Sequence, residues 1–157
     1  MTNNLTPMKS LMEDIMISAG KVLVGHFRDS EELRRMRTSA KEAATRYDKM
    51  VDRKLIEELR RVYPGHSILS EEGGRIAGDE EWLWIIDSLD GTGNFANWNP
   101  FFAICMALIH RGELVLGGIY APAIDEFYIA ERGAGAYLNG SRLHVSAVSN
   151  LRESYLF

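Results

Sequence analysis

An α+β fold, N-terminal helices packed on a mostly antiparallel sheet, is what this sequence predicts, and three observations predict it. Apolar residues recur at helical spacing through the first sixty residues or so, the period then shortens to that of strands, and turn signals thereafter come at hairpin intervals. Helices first and sheet afterwards is the order that defines α+β rather than α/β. Length agrees: 157 residues suit one domain with a real core.

Thr6-Pro7 predicts the first helix start, a capping residue followed by proline at the first helical position. Leu11, Ile15, Ala19, Val22 and Leu23 continue it at helical spacing. Ser30-Glu31-Glu32 predicts a cap for a short second segment, and a polar stretch follows from Met36 to Ala43. A longer helix is predicted from Ala44 to Val62, stopped by Tyr63-Pro64-Gly65. His66–Ser70 and Trp82–Ile86 read as short strands separated by an acidic, glycine-containing loop. From Phe102 onward the chain reads as consecutive hairpins. Arg111-Gly112 turns one, Pro122 breaks the next strand, and Asn139-Gly140 is a strong two-residue hairpin turn.

Composition narrows the function classes. Apolar residues at 46% and charged residues at 25% are ordinary for a globular chain. A net charge of −4 argues against a nucleic-acid surface. The basic residues of Arg28–Lys41 and Lys49–Arg61 alternate with acids, as solvated helix faces do. Cys105 is the only cysteine, which rules out an intrachain disulfide and fits a reducing cytoplasm. Within the apolar run Phe101–Ile109 it reads as a small hydrophobe rather than a nucleophile. That run is too short to cross a bilayer, and the N-terminus lacks a signal-peptide pattern. A cytoplasmic protein is expected.

The chemistry lies in the acids. On a helix turning about 100° per residue, Val51, Leu55, Ile56, Leu59 and Val62 form the buried stripe, and Asp48 and Asp52 share its side. A core-facing charge demands a partner or a metal. Alternatively, both acids sit near the helix N-terminus and complement its dipole. The two readings are evenly matched for Asp48, and the dipole reading is the stronger for Asp52. Ser70-Glu71-Glu72-Gly73-Gly74 by itself reads as a solvated turn, yet at a strand end it can project a carboxylate into a shared site. In Trp82–Phe95 an apolar strand runs into Asp87-Ser88-Leu89-Asp90-Gly91-Thr92. A bare turn of this kind is most often an Asp-Gly turn with an Asp cap. After so apolar a strand, and with two acidic segments upstream, it points instead to a metal. Asp87, Asp90 and the Leu89 carbonyl can converge as hard oxygen donors, which Mg²⁺ prefers. Gly91 permits close approach of the backbone to a ligand, and the amides of the following helix start suit a phosphate. The histidines show no cluster, so zinc is not expected. Trp82 and Trp84 read as core, and Trp98 as a packing residue near the site mouth.

These residues resemble the inositol monophosphatase family of lithium-sensitive, Mg²⁺-dependent phosphatases. The segment Asp87-Ser88-Leu89-Asp90-Gly91-Thr92-Gly93-Asn94-Phe95 is similar to its Asp-Pro-Ile/Leu-Asp-Gly-Thr-Thr-Asn-Phe signature. Tyr63–Ser67 with Ser70-Glu71-Glu72, Thr45–Asp48, and Arg132–Ala136 with Leu138–Gly140 and Leu143–Ser146 resemble its other motifs in order. The resemblance implies that Glu71, Asp87, the Leu89 carbonyl and Asp90 ligate Mg²⁺, with Asp87 bridging two ions. It implies that Asp48 and Thr92, with Glu71 as a third catalytic residue, orient and deprotonate an attacking water. The Gly91 and Thr92 amides would hold the phosphate of a small phosphorylated metabolite, inositol monophosphate above all. Fructose-1,6-bisphosphate, histidinol phosphate and 3′-phosphoadenosine 5′-phosphate are the alternatives within the family. Ser88 departs from the usual proline, Gly93 from threonine and Asp52 from glutamate. The family's second, α/β half, with its Trp-Asp motif, has no counterpart here. The chain is therefore expected to be a fragment or to be completed by a partner; a fragment that only binds metal is the non-catalytic alternative. Self-association through exposed apolar surface, as a homodimer, is expected, with no nucleic acid and no membrane.

Overall fold

The computed structural model describes residues 4–28 and 40–154, with side chains in the second stretch described from residue 44 onward. Helix α1 spans Thr6–Arg28 and α2 spans Ala40–Val62. Strands β1 (His66–Ser70), β2 (Gly74–Ile76) and β3 (Asp79–Asp90) follow, then the short helix α3 (Thr92–Ala96). Five more strands complete the order: β4 (Ala103–His110), β5 (Glu113–Ala121), β6 (Glu126–Glu131), β7 (Gly135–Leu138) and β8 (Ser141–Arg142). They form one sheet in the order β2-β1-β3-β4-β5-β6-β7-β8. Every pairing is antiparallel except β1 with β3, which run parallel. The α+β architecture predicted from the period change is the observed one.

Strand alternation decides which face the helices cover. Trp84 and Ile86 of β3, Ile104 and Leu108 of β4, and Leu116 of β5 are buried beneath α1 and α2. Met12, Met16, Ala19 and Leu23 of α1 and Val51, Leu55 and Leu59 of α2 supply the other side of this core. The two methionines were outside the spacing pattern, whereas Val62, counted in it, stands exposed at the helix end. The opposite face carries Ile85, Cys105, Ala107, Gly117 and Ile119 and bounds an open cleft of about 390 Å³.

Close approach of α1 to the sheet rests on Gly20. A Cβ there would lie 2.4 Å from Tyr120 Cε1 and 2.9 Å from the Pro122 Cβ. Alanine gains about 1 kcal/mol of helix propensity over glycine, but overpacking costs about 1–3 kcal/mol. Gly20→Ala is therefore expected to lose about 1 kcal/mol net, read as a lower urea midpoint. A midpoint equal to or above that of the parent would contradict this packing.

Several boundaries differ from expectation. The α1 start is capped by Asn4, whose Oδ1 accepts from the Thr6 amide at 3.1 Å, rather than by Thr6. Helix α2 begins at Ala40, four residues before the predicted Ala44, because Ala-Lys-Glu-Ala favours helix even where no apolar stripe marks it. Strand β3 is longer at both ends than Trp82–Ile86. The expected acidic loop between β1 and β3 contains the short strand β2. The turns stand where predicted: Arg111-Gly112 and Asn139-Gly140 all have positive φ, and β5 ends immediately before Pro122. The proposed segment at Ser30–Glu32 and the stretch 36–39 lie outside the described residues. Trp98, expected to pack, is 42% exposed with φ 60. Among the described residues no helix is long and apolar enough to cross a membrane.

Candidate metal centre

Because β1 and β3 are parallel neighbours, both strands run toward the same end of the sheet. Ser70 pairs with Ile86, and the Glu71 amide donates to the Ile86 carbonyl at 3.1 Å. Glu71 thereby lies beside β3 next to Asp87. Asp87 projects to the open face and lines its cleft. The ladder between β3 and β4 is interrupted between Asp87 and Asp90, so the chain leaves regular pairing where the acids stand. Within this turn the Leu89 amide donates to Asp87 Oδ1 at 3.2 Å, and the Thr92 hydroxyl donates to the Leu89 carbonyl at 3.0 Å. Gly91 takes φ 83, and a Cβ on it would meet the Phe101 carbonyl oxygen at 3.0 Å. Glycine is required there on both counts.

Alternation sends Ser88 and Ser70 to the other face, against α2. Ser88 is 1% exposed, and its hydroxyl donates to Asp48 Oδ1 at 2.5 Å. The Ser70 hydroxyl donates to Asp52 Oδ1 and accepts from the Gly73 amide at 3.1 Å. Asp48 and Asp52, one helical turn apart, are thus latched to β3 and β1 respectively. Both are buried, at 7% and 4%. Since α2 begins at Ala40, neither lies in its first turn, and the helix-dipole reading preferred for Asp52 is set aside. Asp52 is a hydrogen-bonded buried acid, as its place on the apolar stripe demands.

The electrostatics show that the acids act on one another. Burial raises Asp48 to about 6, the Ser88 hydrogen bond opposes this, and the charges of Glu72, Asp87 and Glu71 add to it. Burial also raises Asp87, with the neighbouring Glu71 next in effect and Asp90 contributing. Asp52 is raised by burial, against the Ser70 bond. Cys105, paired across the ladder from Asp87, is pushed up to about 11 by burial and by the charges of Asp90 and Asp87. Such a shift disfavours the thiolate, the nucleophilic form.

The donor set fits a hard divalent cation. Carboxylates of Glu71, Asp87 and Asp90 and the Leu89 carbonyl are all oxygen donors, and their mutual repulsion is what a cation would relieve. Among the described residues no three Asp, Glu, His or Cys side chains close into a cluster able to hold a metal unaided. Mg²⁺ does not need one, because it keeps several waters and takes one or two carboxylates plus phosphate oxygens. Nor do the histidines compete. His66 Nδ1 accepts from Trp84 Nε1 at 3.1 Å, His110 pairs with Glu81 at 3.0 Å, and His26 stacks on Tyr47 at 4.3 Å.

Helices cover one face of a largely antiparallel sheet, and oxygen-donor acids stand at the end of its parallel strand pair. The chain belongs to the inositol monophosphatase family, whose model matches residues 4–157. It is 37% identical over 139 residues to fructose-1,6-bisphosphatase/inositol-1-monophosphatase of Thermotoga maritima, covering 88% of this chain and 53% of that protein. It is also 37% identical over 158 residues to the Nus factor SuhB of Pseudomonas aeruginosa, covering 97% of this chain and 57% of that one. The structure of an inositol monophosphatase from Anabaena (Nostoc) superposes with a TM-score of 0.80 at 34% identity, covering 94% of this chain and 52% of that one. The chain spans about half the length of the curated relatives it matches.

Proposed function

We propose that this chain carries the acidic half of a Mg²⁺-dependent phosphomonoesterase centre acting on a small phosphate monoester, inositol monophosphate first among candidates. The observation that supports it most is that acids from α2, β3 and the residues just after β1 lie within electrostatic reach: the charges of Glu72, Asp87 and Glu71 bear on Asp48, and those of Glu71 and Asp90 on Asp87. Glu71, Asp87, Asp90 and the Leu89 carbonyl would hold Mg²⁺. When bound, the ion supplies neutralisation of phosphoryl charge and acidification of water. The chain's own residues do the rest. Asp48, raised to about 6 in the absence of metal, is suited to take a proton from water close to neutral pH. The Thr92 hydroxyl, anchored on the Leu89 carbonyl, would orient that water. The Gly91 and Thr92 amides would hold the phosphate at the start of α3, leaving in-line displacement to positioning and charge neutralisation.

Two further readings have specific support. The name of the Thermotoga relative includes fructose-1,6-bisphosphatase, and a donor set with no closed metal-holding cluster among the described residues suits a unit that binds metal weakly without turnover. A panel of inositol monophosphate, fructose-1,6-bisphosphate, histidinol phosphate and 3′-phosphoadenosine 5′-phosphate, assayed on the 157-residue chain for phosphate release beside its Mn²⁺ binding, separates all three. Removing metal with EDTA is expected to lower release at least about a hundredfold, and Mg²⁺ to restore it. Release that persists in EDTA would sink the proposal. Preference for the nucleotide would overturn the substrate alone.

A further inference from the structure

We propose that Ser88 is a positioning residue of this centre: its hydroxyl fixes the Asp48 carboxylate and ties the metal-holding turn to helix α2. The proposal rests on the phosphatase reading of the site. Ser88 sits between two groups assigned to the cation, Asp87 and the Leu89 carbonyl, in the stretch where the β3–β4 ladder is interrupted. Pairing to β4 resumes only at Asp90 with Ala103, so Ser88 and Leu89 lie in the irregular step of the ladder. What crosses from the turn to α2 is a side-chain bond spanning 40 residues of sequence, from Ser88 Oγ to Asp48 Oδ1 at 2.5 Å. When Asp48 is ionised, this bond is charge-assisted, about twice as strong as a neutral one. The Asp48 carbonyl oxygen lies at 3.2 Å from the same hydroxyl, so the serine is seated over the helix turn that carries the acid.

The geometry has a direct consequence. Asp48 has one carboxylate oxygen, Oδ1, bonded to Ser88, and that bond restrains the rotation of the carboxylate. The same bond sets how far Asp48 stands from Asp87, its neighbour in charge. Removing the hydroxyl frees the carboxylate to rotate and lets the turn drift. Misplacement of about 1 Å costs on the order of a hundredfold in rate.

The test uses the whole chain with Ser88→Ala, Asp48→Asn and the double variant. Three quantities are read: kcat and KM for inositol monophosphate, Mn²⁺ affinity by calorimetry without substrate, and the melting midpoint. Ser88→Ala is expected to lower kcat roughly 10- to 100-fold with KM within about twofold. Mn²⁺ affinity falls severalfold as the turn loosens. On the Asp48→Asn background the same change should alter kcat less than about threefold, since the residue it acts through is disabled. Ser88→Cys, which keeps the volume but is a weak donor, tests the same bond where alanine fails to fold. A lower melting midpoint with kcat unchanged would make Ser88 merely structural and overturn the proposal. So would equal losses on both backgrounds, or wild-type kcat in Ser88→Cys. A parent protein that neither binds Mn²⁺ nor releases phosphate fails the phosphatase reading, and this inference with it. A parent that does both while Ser88→Ala matches it fails this inference alone.

Discussion

Asp87→Asn is expected to lower phosphate release by roughly a thousandfold, about three steps of 1.4 kcal/mol in the barrier, and to abolish Mn²⁺ binding measurable by calorimetry. The substitution is nearly isosteric, so the effect would come from charge. Asp87 is the acid on which both Glu71 and Asp90 act, and it acts in turn on Asp48 and Cys105. Neutralising it removes the member common to these pairs. Without metal the change should not destabilise the fold, because it relieves repulsion at a site where burial already disfavours the charge. A folded Asp87→Asn protein that keeps more than about a tenth of the parental rate would show that Asp87 holds no essential cation.

What the sequence made legible, and what it hid, divides by the range of the interaction. The apolar run into Asp87 and Asp90, the Asn139-Gly140 hairpin and the strand His66–Ser70 are local patterns, and each stands where its pattern placed it. The start of α2 was misplaced because Ala40–Ala43 carries helix propensity without an amphipathic stripe to mark it. The two serine latches could not be read at all from local pattern. They join residues 40 and 18 positions apart, and they exist only because β1 lies parallel to β3 with Ser70 and Ser88 turned toward α2. A partial signal was nonetheless present. Asp48 and Asp52 share the apolar stripe of α2, which demands buried donors, and serines at alternate positions from Ile68 and Ile86 are fit to supply them. Ser88 in place of the usual proline read as a loosened turn; the structure gives that serine a partner instead.

The acid best described as both buried and needed makes the second strong prediction, and here stability and function should part. Asp48 is raised to about 6 by burial, and the charges of Glu72, Asp87 and Glu71 add to this. A carboxylate whose folded pKa lies above its unfolded value of 3.8 disfavours folding while ionised. The penalty is complete above about 6, shrinks as pH falls from there towards 3.8, and is gone below it. Asn at this position keeps an acceptor for the Ser88 hydroxyl and carries no charge, though the bond to a neutral acceptor is weaker. In EDTA, Asp48→Asn should therefore gain on its parent in melting midpoint as pH rises from about 4 to 7, and level off beyond. Catalysis should move the other way. With Mg²⁺ present the variant is expected to lose on the order of a hundredfold or more in kcat, the range ascribed to a positioned general base. Paired melting curves across pH and steady-state rates at pH 7.5 read both effects. A difference in midpoint that stays flat between pH 4 and 7 would mean that Asp48 is not a strained, ionised acid. A rate close to that of the parent would remove it from the chemistry, and with it the reason for a fold to bury a charge against a serine.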